Sequence, residues 1–96
     1  MRKTYLVTYD ICEAKRLRRV YRVMLGYGEH LQYSVFRCEL SAQELVEVRA
    51  RLGEIIHHGQ DQVLFLGLGP SDGKSRRAFS PIGRSYAHEE KRVIVV

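Results

Sequence analysis

The first ordered pattern is Thr4 to Ile11, Thr-Tyr-Leu-Val-Thr-Tyr-Asp-Ile, whose β-branched and aromatic residues predict a strand with Asp10 at its carboxyl end. From Glu13 to Gly26 the apolar positions become Leu17, Val20, Tyr21, Met24 and Leu25, the spacing of an amphipathic helix. Gly26 and Gly28 are expected to stop it by taking left-handed backbone conformations. His30 to Leu40 is extended over 11 residues, longer than an ordinary strand, and the polar Gln32-Tyr33-Ser34 predicts a split into two. Ser41-x-x-Glu44 is a capping box, and Leu45, Val48, Leu52, Ile55 and Ile56 form the stripe of the helix it opens, which His57-His58-Gly59 ends. Val63 to Leu68 reads as a continuous apolar strand, Gly69 to Ser75 as a surface loop, and Arg92 to Val96 as a last strand that needs a sheet edge to pair with.

The predicted order is β-α-β-β-α-β with an extra carboxyl-terminal strand. That is the α+β, ferredoxin-like plan, an antiparallel sheet carrying two helices on one face, here as a single domain over residues 1–96. The first strand has apolar side chains on both faces, Tyr5, Val7 and Tyr9 on one and Leu6 on the other. The face away from the helices therefore needs a cover, and a face-to-face homodimer supplies one. Size argues the same way, because a chain of 96 residues hides only ~60–65% of its unfolded surface.

The charge balance is more distinctive than the composition. Sixteen Lys and Arg against 11 Asp and Glu leave a net +5, which favours a polyanionic partner. With 45% hydrophobic and 28% charged residues the chain is of the soluble globular kind. No apolar run approaches the ~20 residues of a membrane span, and Met1-Arg2-Lys3-Thr4 leads into the first strand without a signal-peptide core, so the cytoplasm is expected. Cys12 and Cys38 are expected to be reduced and in or near the core, which excludes a disulfide scaffold and a zinc module. Gly69-Pro70-Ser71-Asp72-Gly73-Lys74-Ser75 imitates a phosphate-binding loop but is one residue short and follows a late strand. His57 and His58 are adjacent, so on a helix they diverge by ~100° and do not form a metal pair.

Two features carry candidate chemistry. Lys15, Arg16, Arg18, Arg19 and Arg22 put five cations in eight residues of the first helix, suited either to phosphate contacts or to an ordinary solvated surface. Asp10, closing the first strand, fits two roles: the cap of the following helix, or a ligand for Mg²⁺, which often takes only one or two carboxylates. A two-fold axis near the strand end would bring two copies of Asp10 together. Tyr9, Tyr33 and Phe36 are candidates for base stacking, against the usual core role of strand aromatics.

Several of these residues fall in a familiar order: Tyr9-Asp10-Ile11, then Arg16, Arg18, Arg19 and Val20, then Gln32-Tyr33-Ser34-Val35-Phe36 and Cys38-Glu39-Leu40-Ser41. Over roughly residues 3 to 69 they resemble the second core CRISPR-associated (Cas) protein family, the small partner of the spacer-acquisition integrase. The resemblance implies a homodimer with facing sheets, each extended by the other's terminal strand. It implies a metal-dependent endonuclease on RNA or DNA, with Asp10 as catalytic residue and ligand of a Mg²⁺ or Mn²⁺ ion shared with the dimer partner. Nucleic-acid contacts would then come from Tyr9, Arg16, Arg18, Arg19, Arg22, Ser34 and Phe36. The family also bridges integrase dimers and holds the DNA to be inserted, so a non-catalytic scaffold is the alternative, with a ferredoxin-like ribonuclease toxin behind it. Ser71 to Glu90 departs from the family pattern.

Overall fold

The computed structural model describes residues 1–85. The expected terminal strand, Arg92 to Val96, lies outside the described residues. The elements run β1 (Lys3–Asp10), α1 (Ala14–Leu25), β2 (Gly28–Gln32), β3 (Val35–Leu40), α2 (Ala42–Ile55), β4 (Gln62–Pro70) and α3 (Gly73–Arg77). The strands form one sheet in the order β2-β3-β1-β4 with each neighbouring pair antiparallel, the ferredoxin-like topology.

Register sorts the side chains into two faces. Val7 pairs with Phe36 on β3 and Phe65 on β4, and this face lies under the helices. Tyr9, Phe36, Cys38 and Leu40 from the sheet close on Val20, Tyr21 and Met24 of α1 and Val48 and Leu52 of α2. Leu6 pairs with Arg37 and Leu66, and Thr8 with Val35 and Leu64, on the opposite face. There Leu64 and Leu66 are 52% and 55% exposed. Arg37 on this face is buried, ion-paired with Glu29 and set over the Phe79 ring at 5.2 Å, so the segment after α3 reaches across β3.

The split of the long extended stretch falls where Gln32-Tyr33-Ser34 interrupts it, and Ser41 with Glu44 forms both halves of the capping box. Four local expectations change. Gly26 caps α1 at φ −80°, an ordinary right-handed value, rather than in the left-handed region. Gly28 serves strand approach instead, because a Cβ there would collide with Cys38 Sγ and with the Arg37 carbonyl oxygen at 2.6 Å. Cys38 is buried but Cys12 is exposed, both of them free thiols, with Cys12 Sγ donating to the Gln60 carbonyl at 3.0 Å. The loop expected over Gly69 to Ser75 is instead the end of β4, where Gly69 takes φ +93° beside a register shift against β1, a bend at Ser71 and Asp72, and the first turn of α3. No helix among the described residues is long and apolar enough to cross a membrane.

Candidate nucleic-acid interface

Helix α1 buries Val20, Tyr21 and Met24, and at ~100° per residue the direction opposite this stripe falls on Lys15, Arg18, Arg19 and Arg22. All four are exposed, and none has an ionic partner among the described residues. Four cations on one face repel one another unless an anion lies across them. Arg16 is different. It sits on the flank of the helix and reaches Asp61, Nε to Oδ2 at 2.8 Å and a terminal nitrogen to Oδ1 at 3.3 Å. A further bond to Gln60 Oε1 at 3.2 Å completes its fork. Of the five cations read as phosphate ligands, Arg16 is thus committed to holding the fold.

Asp61, which the sequence reading did not single out, organises this end of the molecule. Its side chain is fully buried and accepts from the Cys12 amide and the His57 amide, each at 2.8 Å, as well as from Arg16. Those bonds tie the β1–α1 loop, helix α1 and the α2–β4 connection to one carboxylate. The guanidinium bond, aided by the two backbone donors, holds the carboxyl well below its usual range despite burial. The available signal was slight: a lone acid just before an apolar strand, in a chain whose first helix carries five cations and no acid.

Asp10 ends β1 opposite Gln62 of β4, and alternation from Leu6 and Thr8 puts it on the face away from the helices. Its backbone is held on both sides: the Tyr9 amide donates to the Ser34 carbonyl at 3.2 Å, and the Cys12 amide to Asp61. Its carboxylate is exposed and has no partner among the described residues. The cap of α1 is Glu13, whose carboxylate accepts from the Arg16 amide at 2.8 Å, so Asp10 does not serve as the cap. Among the described residues no group of three or more His, Cys, Asp or Glu gathers to hold a metal. One fixed, unpaired carboxylate is the least that holds a hydrated Mg²⁺, which takes one or two carboxylates and keeps several waters.

Tyr9 and Phe36 need correcting as base-stacking candidates. Phe36 has no exposed surface and Tyr9 has 6%, with ring centroids 6.2 Å apart in the core, where no base reaches them. Burial, with the neighbouring Tyr21 second, pushes the Tyr9 hydroxyl up to about 12 despite its bond to the Ser34 side chain. Ser34 is half-buried in the β2–β3 turn and engages Tyr9 through both backbone and side chain. Within one chain, then, the outward arginines lie on the helix layer and Asp10 on the opposite sheet face.

The family model described as CRISPR associated protein Cas2 matches residues 3–76. A protein from Geobacter sulfurreducens named CRISPR-associated endoribonuclease Cas2 is 35% identical over 96 residues, covering 100% of both chains. A second of that name from Thermodesulfovibrio yellowstonii is 52% identical over 63 residues, 66% of this chain and 69% of its own. Among solved structures, Streptococcus pyogenes Cas2 superposes with a TM-score of 0.73 at 33% identity, over 83% of this chain and 99% of that one. With the sheet order, the basic first helix and the strand-end aspartate on the same frame, the chain belongs to the Cas2 family of CRISPR-associated proteins.

Proposed function

We propose that the protein is a cytoplasmic, divalent-metal-dependent endonuclease of RNA or DNA that works as a homodimer beside the CRISPR integrase in spacer acquisition. The observation that carries the nuclease reading is Asp10: an exposed, unpaired carboxylate whose backbone is clamped by Ser34 on one side and Asp61 on the other. The names of the relatives, endoribonuclease in most and endonuclease in the one from Thermus thermophilus, support the same chemistry. The Asp10 carboxylates of two chains would hold the cation, Mg²⁺ or Mn²⁺, which when bound lowers the pKa of a water and offsets phosphate charge. The chain's own contribution is to fix that carboxylate without a competing partner and to grip the polyanion. Arg18, Arg19, Arg22 and Lys15 bind phosphates; Arg16 and Asp61 keep the strand end in place.

A second reading, a scaffold that holds nucleic acid without cutting it, is favoured by the placement of the arginines and Asp10 on opposite sides of the sheet. A metal titration with Asp10→Asn separates the two. Cleavage that needs the metal, stops with chelator and is lost in Asp10→Asn supports the nuclease. Unchanged binding with no cleavage by the parent protein under any divalent ion supports the scaffold.

A further inference from the structure

Tyr33 stands out in both backbone and side chain. It is the first residue of the two-residue turn between β2 and β3, at φ +35°, the one residue other than glycine with positive φ among those described. Such positions are ordinarily filled by Gly, Asn or Asp, and a bulky side chain there is strained. The ring is also 90% exposed and packs on no other aromatic or cation among the described residues. Neither packing nor turn chemistry accounts for a tyrosine at this place.

The stem beneath the ring is rigid. His30 Nε2 donates to the Tyr33 carbonyl at 2.7 Å, and the imidazole is itself seated between Tyr21 and Phe36, with centroids at 5.2 and 5.0 Å. The next residue, Ser34, accepts from the Tyr9 amide at 3.2 Å. The last β1–β3 pair is Thr8 with Val35, so Asp10 and Tyr33 each lie two residues beyond it, at the same end of the sheet. A strained, core-anchored turn therefore presents a bare aromatic ring beside the strand end that carries the free carboxylate. An outlier held by its surroundings is a reason to look for a role.

The geometry points to Tyr33 as a positioning residue that stacks on an unpaired nucleobase and so sets the strand across Asp10; this rests on the nucleic-acid reading above. A tyrosine face takes any base, so the contact is tolerant of sequence, but it requires a base that is not already stacked in a duplex. It thus discriminates single-stranded or locally opened nucleic acid from a closed duplex, which the arginine face of α1 does not.

The test is fluorescence anisotropy of a labelled single-stranded oligonucleotide and of the same strand annealed to its complement. Tyr33→Ala removes the ring, Tyr33→Gly removes ring and strain together, and Tyr33→Phe and Tyr33→Trp keep a stacking face. Expected are a loss of roughly 5- to 30-fold in single-strand affinity for the Ala and Gly variants, duplex binding within about 2-fold, and recovery in Phe and Trp. Tyr33→Gly is also expected to melt at a higher temperature than the parent, so its lost affinity is not lost folding. Ala binding the single strand like the parent overturns the assignment, as does an equal loss on both strands or failure of Phe to restore. Dissociation of the copies by Tyr33→Ala in sedimentation also overturns it, because the ring is then a subunit contact. A parent protein that binds neither oligonucleotide overturns the nucleic-acid reading itself, an outcome distinct from these.

Discussion

A single carboxylate does much of the structural work at the candidate site. Asp61 gathers the Arg16 guanidinium and the amides of Cys12 and His57, so its loss leaves two backbone donors and a guanidinium without their acceptor. Its folded pKa lies below the unfolded carboxylate value near ~4, so the unfolded chain binds the proton more tightly. The stability it contributes is therefore complete above that value and is lost as pH falls through it towards the folded pKa. The capping carboxylates Glu13 and Glu44, also lowered by the backbone donors they accept from, add the same sign. Asp61→Asn is expected to reduce the thermal midpoint at pH 7 far more than Arg18→Ala, and the gap to the parent protein should narrow from about pH 4 downward. Melting curves of the three proteins at stepped pH measure this. A gap independent of pH would mean that shape rather than charge sets the role of Asp61.

At the scale of the element, helices α1 and α2 differ in what holds them. Helix α2 begins with a reciprocal box, the Glu44 amide donating to Ser41 Oγ at 3.1 Å and the Ser41 amide to Glu44 Oε1 at 2.9 Å. Ser41→Ala is expected to cost about 1 kcal/mol in urea unfolding, with Glu44→Ala adding little once Ser41 is gone, because the two bonds form one unit. Helix α1 is instead a carrier of charge. Reversing Arg18 and Arg19 together to Glu should weaken nucleic-acid binding and flatten its dependence on salt, by about 2 in the log–log slope for two lost phosphate contacts. An unchanged slope would place the binding surface off this helix. Strands β1 to β4 and helices α1 and α2 were legible because each writes its own periodicity, and the capping box because it is a local motif, whereas the short α3 falls in a stretch that reads as loop. What was not legible depends on contacts distant in sequence. Nothing near Arg16 shows that Asp61, 45 positions on, will claim it and so separate it from Arg18 and Arg19. Asp10 as a free carboxylate became visible only when Glu13 was found capping the helix. Phe36 and Tyr9 fit a strand motif equally well facing a ligand or the core; helix packing on their face decides for the core.

Among the described residues, one face of the sheet is only partly covered. Helices cover Val7, Tyr9 and Phe36, while across the sheet Leu64 and Leu66 stand half exposed in line with Leu6 and Thr8. Water against that surface is unfavourable, and a second sheet laid on it removes both leucines at once in each copy. Asp10 lies on this same face, so the proposed homodimer, if it buries the leucines, would also bring the two strand-end carboxylates towards each other. The proposed dimer would thereby link association to cleavage, whereas the outward arginines of α1 lie on the other side of the sheet. The expected result is that the parent protein sediments at twice the chain mass, and that Leu64→Glu with Leu66→Glu sediments as a single chain with its helical circular dichroism retained. Placing like charges opposite each other across the two-fold gives that variant its leverage without touching the core. It should lose metal-dependent cleavage entirely while keeping nucleic-acid binding of the same salt slope per chain, because the arginine face is complete in one copy and the carboxylate pair is not. A single-chain variant that still cuts would place the whole catalytic site within one subunit and dissolve the link between Asp10 and the dimer.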